Sequence, residues 1–296
     1  MNFGSLMTAM ITPFHLDLTI DHKQAAKLAE HLVKTGTESI ILAGTTGESP
    51  TLTEAEKDWL FLTVKEAVGD KAKIIMGAGS NNTALTIEAV RRAQTLGADG
   101  TMLVVPYYNK PSQEGLYEHF KQAAQSSDLP VILYNIPGRC SCNMLPQTIK
   151  KLAAVKQIVA VKEASGNLDQ IMEIRLETPD DFLIYSGDDS LTLPMLSIGG
   201  AGIISVASHI AGPAITAMLK AWSEGNTTLA TKLHTALYPL FKDLFIAPNP
   251  APIKYALDRY GYNVNHLRLP LLPLDAQQKK ALDQTLDKFD QLNLNL

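Results

Sequence analysis

Short apolar segments alternate with longer amphipathic segments along most of this 296-residue chain. The short segments are apolar at both odd and even positions, which is typical of parallel strands covered on both faces. Eight such segments lie at residues 5–12, 38–44, 72–79, 99–107, 130–137, 157–164, 181–187 and 201–207. The intervening segments have helical spacing, and Gly36 and Gly97 follow two of them at positions where helices commonly end.

The spacing of the apolar segments predicts the architecture. Seven steps separate the first from the last over about 195 residues, or roughly 28 residues for each strand and helix. A (β/α)8 barrel, or TIM barrel, needs about 200 to 250 residues. We therefore predict an α/β protein whose residues 1–225 form this barrel. An open, doubly wound sheet is the alternative, because periodicity does not show whether a sheet closes.

After about residue 225 the strand pattern stops and only helical patterns follow. They are NTTLATKLHTALYPLFKDLF, PAPIKYALDRYGY and DAQQKKALDQTLDKFDQL. Pro252 suits the first turn of the second helix. No low-complexity linker precedes these segments, so we predict that residues 226–296 are a helical C-terminal extension packed on the barrel.

Composition and charge exclude several classes of function. With 46% hydrophobic and 19% charged residues, the chain can bury a sizeable core. A net charge of −4 provides no positive field for nucleic acid. No apolar run approaches the ~18 residues of a membrane span, and the N-terminal stretch does not have the pattern of a signal peptide. We expect a cytoplasmic protein that binds neither nucleic acid nor membrane.

Metal and cofactor chemistry are also disfavoured. Cys140 and Cys142 are separated by one residue, unlike a disulfide framework or a zinc half-site. The seven histidines are scattered, and the phosphate-loop, zinc-protease and serine-hydrolase motifs are missing. We expect no metal and no organic cofactor.

A lysine ends the sixth apolar segment, in the phrase VKEASGN, and barrel enzymes carry their reactive groups where strands end. The ordinary interpretation of Lys162 is a stem lying over apolar surface or an ion pair with Glu163. The functional interpretation is a Schiff-base nucleophile, which needs a neutral amine. An unperturbed lysine is neutral in about one molecule in 2,500 at pH 7, and burial in an apolar mouth can lower its pKa to about 7.5.

Hydroxyl groups and an arginine follow other predicted strands. Tyr134 ends the fifth, Tyr108 follows the fourth and Thr45 follows the second, and such groups can relay protons to a substrate. Arg139 suits a substrate carboxylate, and the N–H groups of the turn 44–47 suit a second one. Each also has a structural interpretation, as a packed tyrosine, an ion-paired arginine or a plain turn.

With these residues the chain resembles the dihydrodipicolinate synthase family, among the pyruvate-dependent class I aldolases that include N-acetylneuraminate lyase. The resemblance extends over GSLMTAMITPF, GTTGES, PYYNKPSQEGLYEHF, LYNIPGR, VKEASGNL, SGDD, GIISV, PNPAPIK and LRLPLLPL. It implies condensation of pyruvate with L-aspartate 4-semialdehyde to 4-hydroxy-tetrahydrodipicolinate, which opens the diaminopimelate branch of lysine biosynthesis. It also implies a homo-oligomer, either a dimer or a tetramer built as a dimer of dimers.

The resemblance assigns catalytic roles residue by residue. Lys162 matches the imine-forming lysine, and Tyr134 matches the proton-transfer tyrosine. Thr45 and Tyr108 complete the hydroxyl relay. In the family the second tyrosine reaches into the active site of the adjacent subunit, so a dimer would be the smallest unit with complete sites.

Three further matches concern substrate binding. Thr46 matches the site of the pyruvate carboxylate, Arg139 that of the semialdehyde carboxylate, and Ile204 a main-chain carbonyl at the pocket. Cys140 departs from the family pattern, since it stands beside Arg139 where the family often has threonine or serine.

Two other functions stay open at this point. One is another pyruvate aldolase, such as an N-acetylneuraminate or 2-keto-3-deoxy sugar acid lyase. Such lyases usually lack the Gly-Arg pair after YNIP and the KEASGN phrase, and both are present here. The other is a non-catalytic barrel, which the retained lysine, tyrosines and threonine disfavour.

Residues 49–57 and Leu85 lead to a prediction about regulation. Family members inhibited by lysine use a pocket near the dimer interface, with histidines after G-E-S and a glutamate shortly after the asparagine of the third strand-to-helix loop. Here the segment reads SPTLTEAEK, and Leu85 stands at the place of the glutamate. A cationic Lys57 and a missing carboxylate disfavour a lysine effector, so we expect weak or no inhibition. In a steady-state assay, an inhibition constant below about 1 mM would contradict this expectation.

Overall fold

The computed structural model describes residues 3–292. Its eight strands form a closed barrel in chain order, and the pairings of the first strand with the second and of the third through the eighth are parallel. The strands are β1 (Leu6–Ala9), β2 (Ser39–Leu42), β3 (Lys73–Gly77), β4 (Gly100–Val104), β5 (Val131–Asn135), β6 (Ile158–Glu163), β7 (Leu183–Ser186) and β8 (Gly202–Ser205). The predicted (β/α)8 barrel is therefore confirmed, and the alternative of an open sheet is wrong.

Helices follow the strands and continue beyond the last one. Within the described residues they are α1 (His22–Lys34), α2 (Glu54–Val68), α3 (Thr83–Leu96), α4 (Gln113–Ala124), α5 (Pro137–Cys140), α6 (Pro146–Ala153), α7 (Leu168–Glu177), α8 (Thr192–Ser197), α9 (Ser208–Ser223), α10 (Thr227–Asp243), α11 (Ala251–Arg259) and α12 (Ala276–Asp290). The last three helices correspond to the three helical patterns predicted after residue 225.

Local sequence explains where these elements start and stop. Every residue of β1, β2, β5 and β8 is buried, as strands covered on both faces require. Gly36 and Gly97 follow α1 and α3 with φ of +106° and +81°, a backbone region in which a Cβ is strained. The strands end sooner than the apolar segments, since β4 stops at Val104. The residues beyond the strand ends form the loops of the barrel.

The chain divides into two compact units. One contains Phe3 and residues 73–204, and its core packs side chains such as Leu103, Leu133 and Ile171. The other contains residues 4–72 and 205–292, and in it α10 packs between α9 and α12. The predicted domain boundary at residues 225 and 226 stays a prediction.

A fully buried ion pair joins two distant segments of the second unit. Lys254 Nζ lies 2.5 Å from Glu48 Oε1, and neither side chain is exposed. Lys254 also donates to the His266 carbonyl at 2.7 Å, and the Arg268 amide donates to Glu48 Oε2 at 3.1 Å. Both charges are therefore compensated by several hydrogen bonds, which a buried pair requires.

Substituting Lys254→Met should destabilise the protein by roughly 3 to 5 kcal/mol, because it leaves Glu48 buried without its cation. Denaturant unfolding measures this difference. The control is Lys151→Met, which breaks an exposed pair with Glu114 and should cost less than about 1 kcal/mol. Equal effects of the two substitutions would contradict the expectation.

Candidate active site

Lys162 lies one residue before the end of β6 and contacts Tyr134 on β5. The register places the two residues opposite each other on neighbouring parallel strands. Lys162 Nζ lies 4.3 Å from the centre of the Tyr134 ring, and each residue is only 5% exposed. The structure thus brings together the predicted nucleophile and the predicted proton-transfer tyrosine.

Burial changes the protonation of Lys162. Its pKa is lowered from 10.5 to about 8, chiefly because desolvation disfavours the charged ammonium. The negative charge of Asp189 opposes this shift, and the positive charge of Arg139 adds to it. At a pKa of about 8, roughly one lysine in ten is neutral at pH 7. A free amine is the form that a Schiff-base nucleophile requires, so the lowered pKa supports the predicted role of Lys162.

Glu163, the residue after the lysine, has other partners. Its Oε2 accepts a hydrogen bond from Asn135 Nδ2 at 2.9 Å, and its Oε1 accepts one from the Ser165 amide at 2.7 Å. Successive strand residues point to opposite faces, so Glu163 and Lys162 are directed apart. Within residues 3–292 no ion pair involves Lys162. The geometry therefore does not support the interpretation of Lys162 as half of an ion pair with Glu163.

The short helix α5 carries Arg139 at an exposed position beyond the end of β5. The chain after α5 is tied back to that strand, because Asn135 Oδ1 accepts from the Met144 amide at 3.0 Å. Asn135 Nδ2 also donates to Asn143 Oδ1 at 2.9 Å. Cys140 is buried, and burial raises the pKa of its thiol to about 11. A protonated thiol adds no charge beside the guanidinium.

The ring of Tyr108 is not packed in its own chain. Tyr108 is 89% exposed, and its φ of +76° is uncommon for a residue with a side chain. Two hydrogen bonds join the residues beside Tyr108 to the loop after β3. Asn109 Nδ2 donates to the Asn81 carbonyl at 2.8 Å, and Asn81 Nδ2 donates to the Tyr107 carbonyl at 3.2 Å. The Tyr108 side chain is therefore exposed to solvent on a loop that hydrogen bonds hold in place.

In the second unit, the turn Gly44–Gly47 directly follows β2. In the described part of the chain, the amide N–H groups of Thr45, Thr46 and Gly47 have no acceptor, although Thr46 and Gly47 are buried. Buried amides without a partner are costly, and successive free amides form a nest for an anion. This geometry supports the expected carboxylate site, which stays a prediction.

Ile204 and the SGDD phrase complete the comparison with the sequence. Ile204 lies in β8 and is 1% exposed. The SGDD phrase at the end of the seventh strand, which contains Gly187 and Asp189, had no predicted role. A Cβ at Gly187 would lie 3.1 Å from Lys162 Cε and 2.8 Å from Ala164 Cβ, so the glycine makes room for the lysine. The position of SGDD at the end of a strand was the feature of the sequence that could have indicated a role in the site.

The influence of Asp189 on Lys162 leads to a prediction. Because Asp189 raises the pKa of Lys162, Asp189→Asn should lower that pKa and move the pH at which pyruvate imine formation is half-maximal to lower values. The rate of borohydride trapping, measured between about pH 6 and 10, tests this shift. Asp169→Asn, on the exposed start of α7, should leave the profile unchanged. A shift to higher pH would contradict the expected sign.

Residues 3–292 contain neither a candidate metal cluster nor a candidate membrane-spanning helix. No group of three or more histidine, cysteine, aspartate or glutamate side chains is placed to hold a metal ion. No described helix is long and apolar enough to cross a membrane.

Comparison with known proteins places the chain among its relatives. The model of the dihydrodipicolinate synthetase family matches residues 2–289. A 4-hydroxy-tetrahydrodipicolinate synthase of Bacillus subtilis is 51% identical over 98% of this chain and 100% of its own. The dihydrodipicolinate synthase structure from Bacillus anthracis is 45% identical, with a TM-score of 0.95 over 97% of this chain and 98% of its own. The enzyme from Acinetobacter baumannii, solved in complex with pyruvate, is 35% identical with a TM-score of 0.95 over 98% of this chain and all of its own. The chain therefore belongs to the dihydrodipicolinate synthetase family.

Proposed function

We propose that this protein is a lyase that condenses pyruvate with L-aspartate 4-semialdehyde to give 4-hydroxy-tetrahydrodipicolinate. The observation that carries the proposal is the buried amine of Lys162, with a pKa of about 8 and in contact with Tyr134. The B. subtilis relative is named for this activity. The product belongs to the diaminopimelate route to lysine, and we place the enzyme in the cytoplasm.

The first step forms the imine. The neutral amine of Lys162 attacks C2 of pyruvate, and loss of the ketone oxygen as water leaves a protonated imine. Removal of a proton from C3 then gives an enamine, whose C3 is nucleophilic. Tyr134 lies against the amine and can carry the protons that these steps move. Thr45 and Tyr108 extend this relay in the proposed mechanism.

The second step joins the two substrates. C3 of the enamine attacks the aldehyde carbon of the semialdehyde, and the aldehyde oxygen takes a proton to become a hydroxyl. The amino group of the same substrate then attacks the imine carbon. Ring closure expels the Lys162 amine, so the enzyme is regenerated and no oxidant or reductant is needed.

Three residues are proposed to hold the substrates. Thr46 and its neighbouring free amides would bind the pyruvate carboxylate. The exposed guanidinium of Arg139 would bind the carboxylate of the semialdehyde, for which its planar fork of donors is suited. Ile204 would contribute its main-chain carbonyl. These assignments follow the family positions that the residues match.

Tyr108 supports the proposal of a homodimer as the smallest active unit. Its ring is 89% exposed in the single chain, as expected for a residue that completes the site of an adjacent subunit. We propose a homo-oligomer on this basis, either a dimer or a tetramer. Sizing over a range of concentrations, with activity assayed in parallel, would reveal whether dissociation removes activity.

One experiment tests the proposed function directly. The protein is treated with borohydride in the presence of pyruvate, and peptides are examined for a mass adduct on Lys162. Consumption of candidate aldehydes is then compared between L-aspartate 4-semialdehyde and the aldehyde products of sugar acid lyases. Absence of an adduct would reject every imine mechanism, and preference for a sugar aldehyde would favour another pyruvate aldolase.

A further inference from the structure

A buried asparagine from the C-terminal segment contacts the proposed carboxylate site. Asn249 Nδ2 donates a hydrogen bond to Thr46 Oγ1 at 2.9 Å, although the two residues are 203 positions apart. Asn249 is 6% exposed and Thr46 is 3% exposed. The contact is therefore formed away from solvent, inside the second unit.

This hydrogen bond restricts the direction in which the Thr46 hydroxyl can donate. A threonine hydroxyl carries one hydrogen and accepts through its lone pairs. Because Asn249 Nδ2 donates to Thr46 Oγ1, the hydrogen of the Thr46 hydroxyl points away from Asn249. In the described part of the chain the Thr46 side chain has no other partner. The hydroxyl hydrogen is thus left for a ligand.

The other end of the asparagine amide argues against a purely structural role. Asn249 Oδ1 is buried and has no donor within residues 3–292. Burying an unsatisfied carbonyl opposes folding. A group that is poorly satisfied in the fold is expected where function requires it.

The surrounding structure holds this contact in place. Glu48 lies two residues after Thr46, and Lys254 five residues after Asn249. Their fully buried ion pair joins the same two segments at 2.5 Å. Such support from neighbouring residues is what an accurately positioned binding group requires.

We propose that Asn249 is a positioning residue that orients the Thr46 hydroxyl as a donor to the carboxylate of the α-keto acid substrate. The inference rests on the proposed function, because it assumes that this acid binds at the turn that contains Thr46. Asn249 acts through Thr46. The predicted consequence is selectivity for a ketone that carries a carboxylate.

The test compares borohydride trapping at Lys162 with pyruvate and with acetone, a ketone without a carboxylate. In Asn249→Leu, the pyruvate concentration for half-maximal trapping should rise about 10-fold or more, because a hydrogen bond to a charged group is weakened. Acetone trapping should be unchanged. Asn249→Asp keeps the shape but offers a negative acceptor to the Thr46 hydroxyl. The pyruvate concentration for half-maximal trapping should therefore rise more than in Asn249→Leu.

Two further variants separate positioning from folding. In a Thr46→Val background, adding Asn249→Leu should not raise the pyruvate concentration for half-maximal trapping any further, since the hydroxyl that Asn249 orients is already gone. Asn226→Asp, at the cap of α10, is the matched control and should trap both ketones normally.

The outcomes are distinguishable. Equal losses with pyruvate and acetone, or additive losses in the double variant, would overturn the role of Asn249. A wild-type protein that forms no adduct with pyruvate would instead reject the proposed function on which the inference rests.

Discussion

Replacing Lys162 with methionine should abolish the pyruvate adduct and reduce turnover by at least about 10⁴-fold, as expected when a covalent nucleophile is removed. The apolar side chain keeps most of the volume, so the loss is chemical. Borohydride trapping and a steady-state assay with both substrates measure the two effects.

The same substitution should raise stability at pH 7. The pKa of Lys162 falls from 10.5 to about 8 on folding, which corresponds to roughly 3 kcal/mol at 1.36 kcal/mol per pKa unit. This cost is fully present below about pH 8 and disappears as the pH rises towards 10.5. Methionine removes it, so the unfolding midpoint should increase. Function and stability are opposed at this position.

A control separates the buried lysine from lysines in general. Lys156 is exposed on the chain before β6, and Lys156→Met should leave both adduct formation and stability unchanged. Residual adduct in Lys162→Met, found on another lysine, would show that the nucleophile has been wrongly assigned. An unchanged or lower unfolding midpoint would contradict the argument from desolvation.

The second large effect is expected at Tyr134. Tyr134→Phe should lower kcat by about 10²- to 10⁴-fold, because a group that transfers protons is removed. The ring that lies over Lys162 is retained, so the trapped adduct with pyruvate should still form, though more slowly. The two substitutions should therefore differ in their effect on the adduct, which Tyr134→Phe slows and Lys162→Met prevents.

Tyr117→Phe is the matched control for this prediction. Its ring lies on α4, with Lys121 Nζ and Lys151 Nζ at 5.2 and 5.6 Å from its centre, and has no predicted role in catalysis. Its kcat should equal that of the wild type. If Tyr134→Phe retained full turnover with both substrates, the proton relay would have to run through other groups.

Much of the fold and the reactive centre could be predicted from the chain because the underlying signals are local. Apolar segments covered on both faces, repeated at a nearly constant interval, are sufficient for parallel strands with intervening helices. Parallel strands present their carboxyl ends on one face, so Lys162 and Tyr134 could be expected to lie near each other. The register of β5 and β6 confirms this.

Other features could not be predicted because they depend on distant packing. Asp189 affects the protonation of Lys162 through space, and no spacing in the sequence measures that distance. Gly187 provides the room that the Lys162 stem occupies. The ordinary interpretation of Lys162, as the partner of Glu163 in an ion pair, was suggested by adjacency, and the alternation of side chains along a strand prevents that pairing.

The sequence by itself therefore determined the barrel class and the family of the protein and predicted the lysine proposed to form the imine, since each of these rests on short segments of contiguous residues. Only the tertiary structure decided which buried polar groups meet. Asn249 reaches Thr46, and Lys254 reaches Glu48, across more than 200 residues of chain. Local patterns carry no information about such contacts, because they form when α11 and the residues just before it pack against the loop that follows β2.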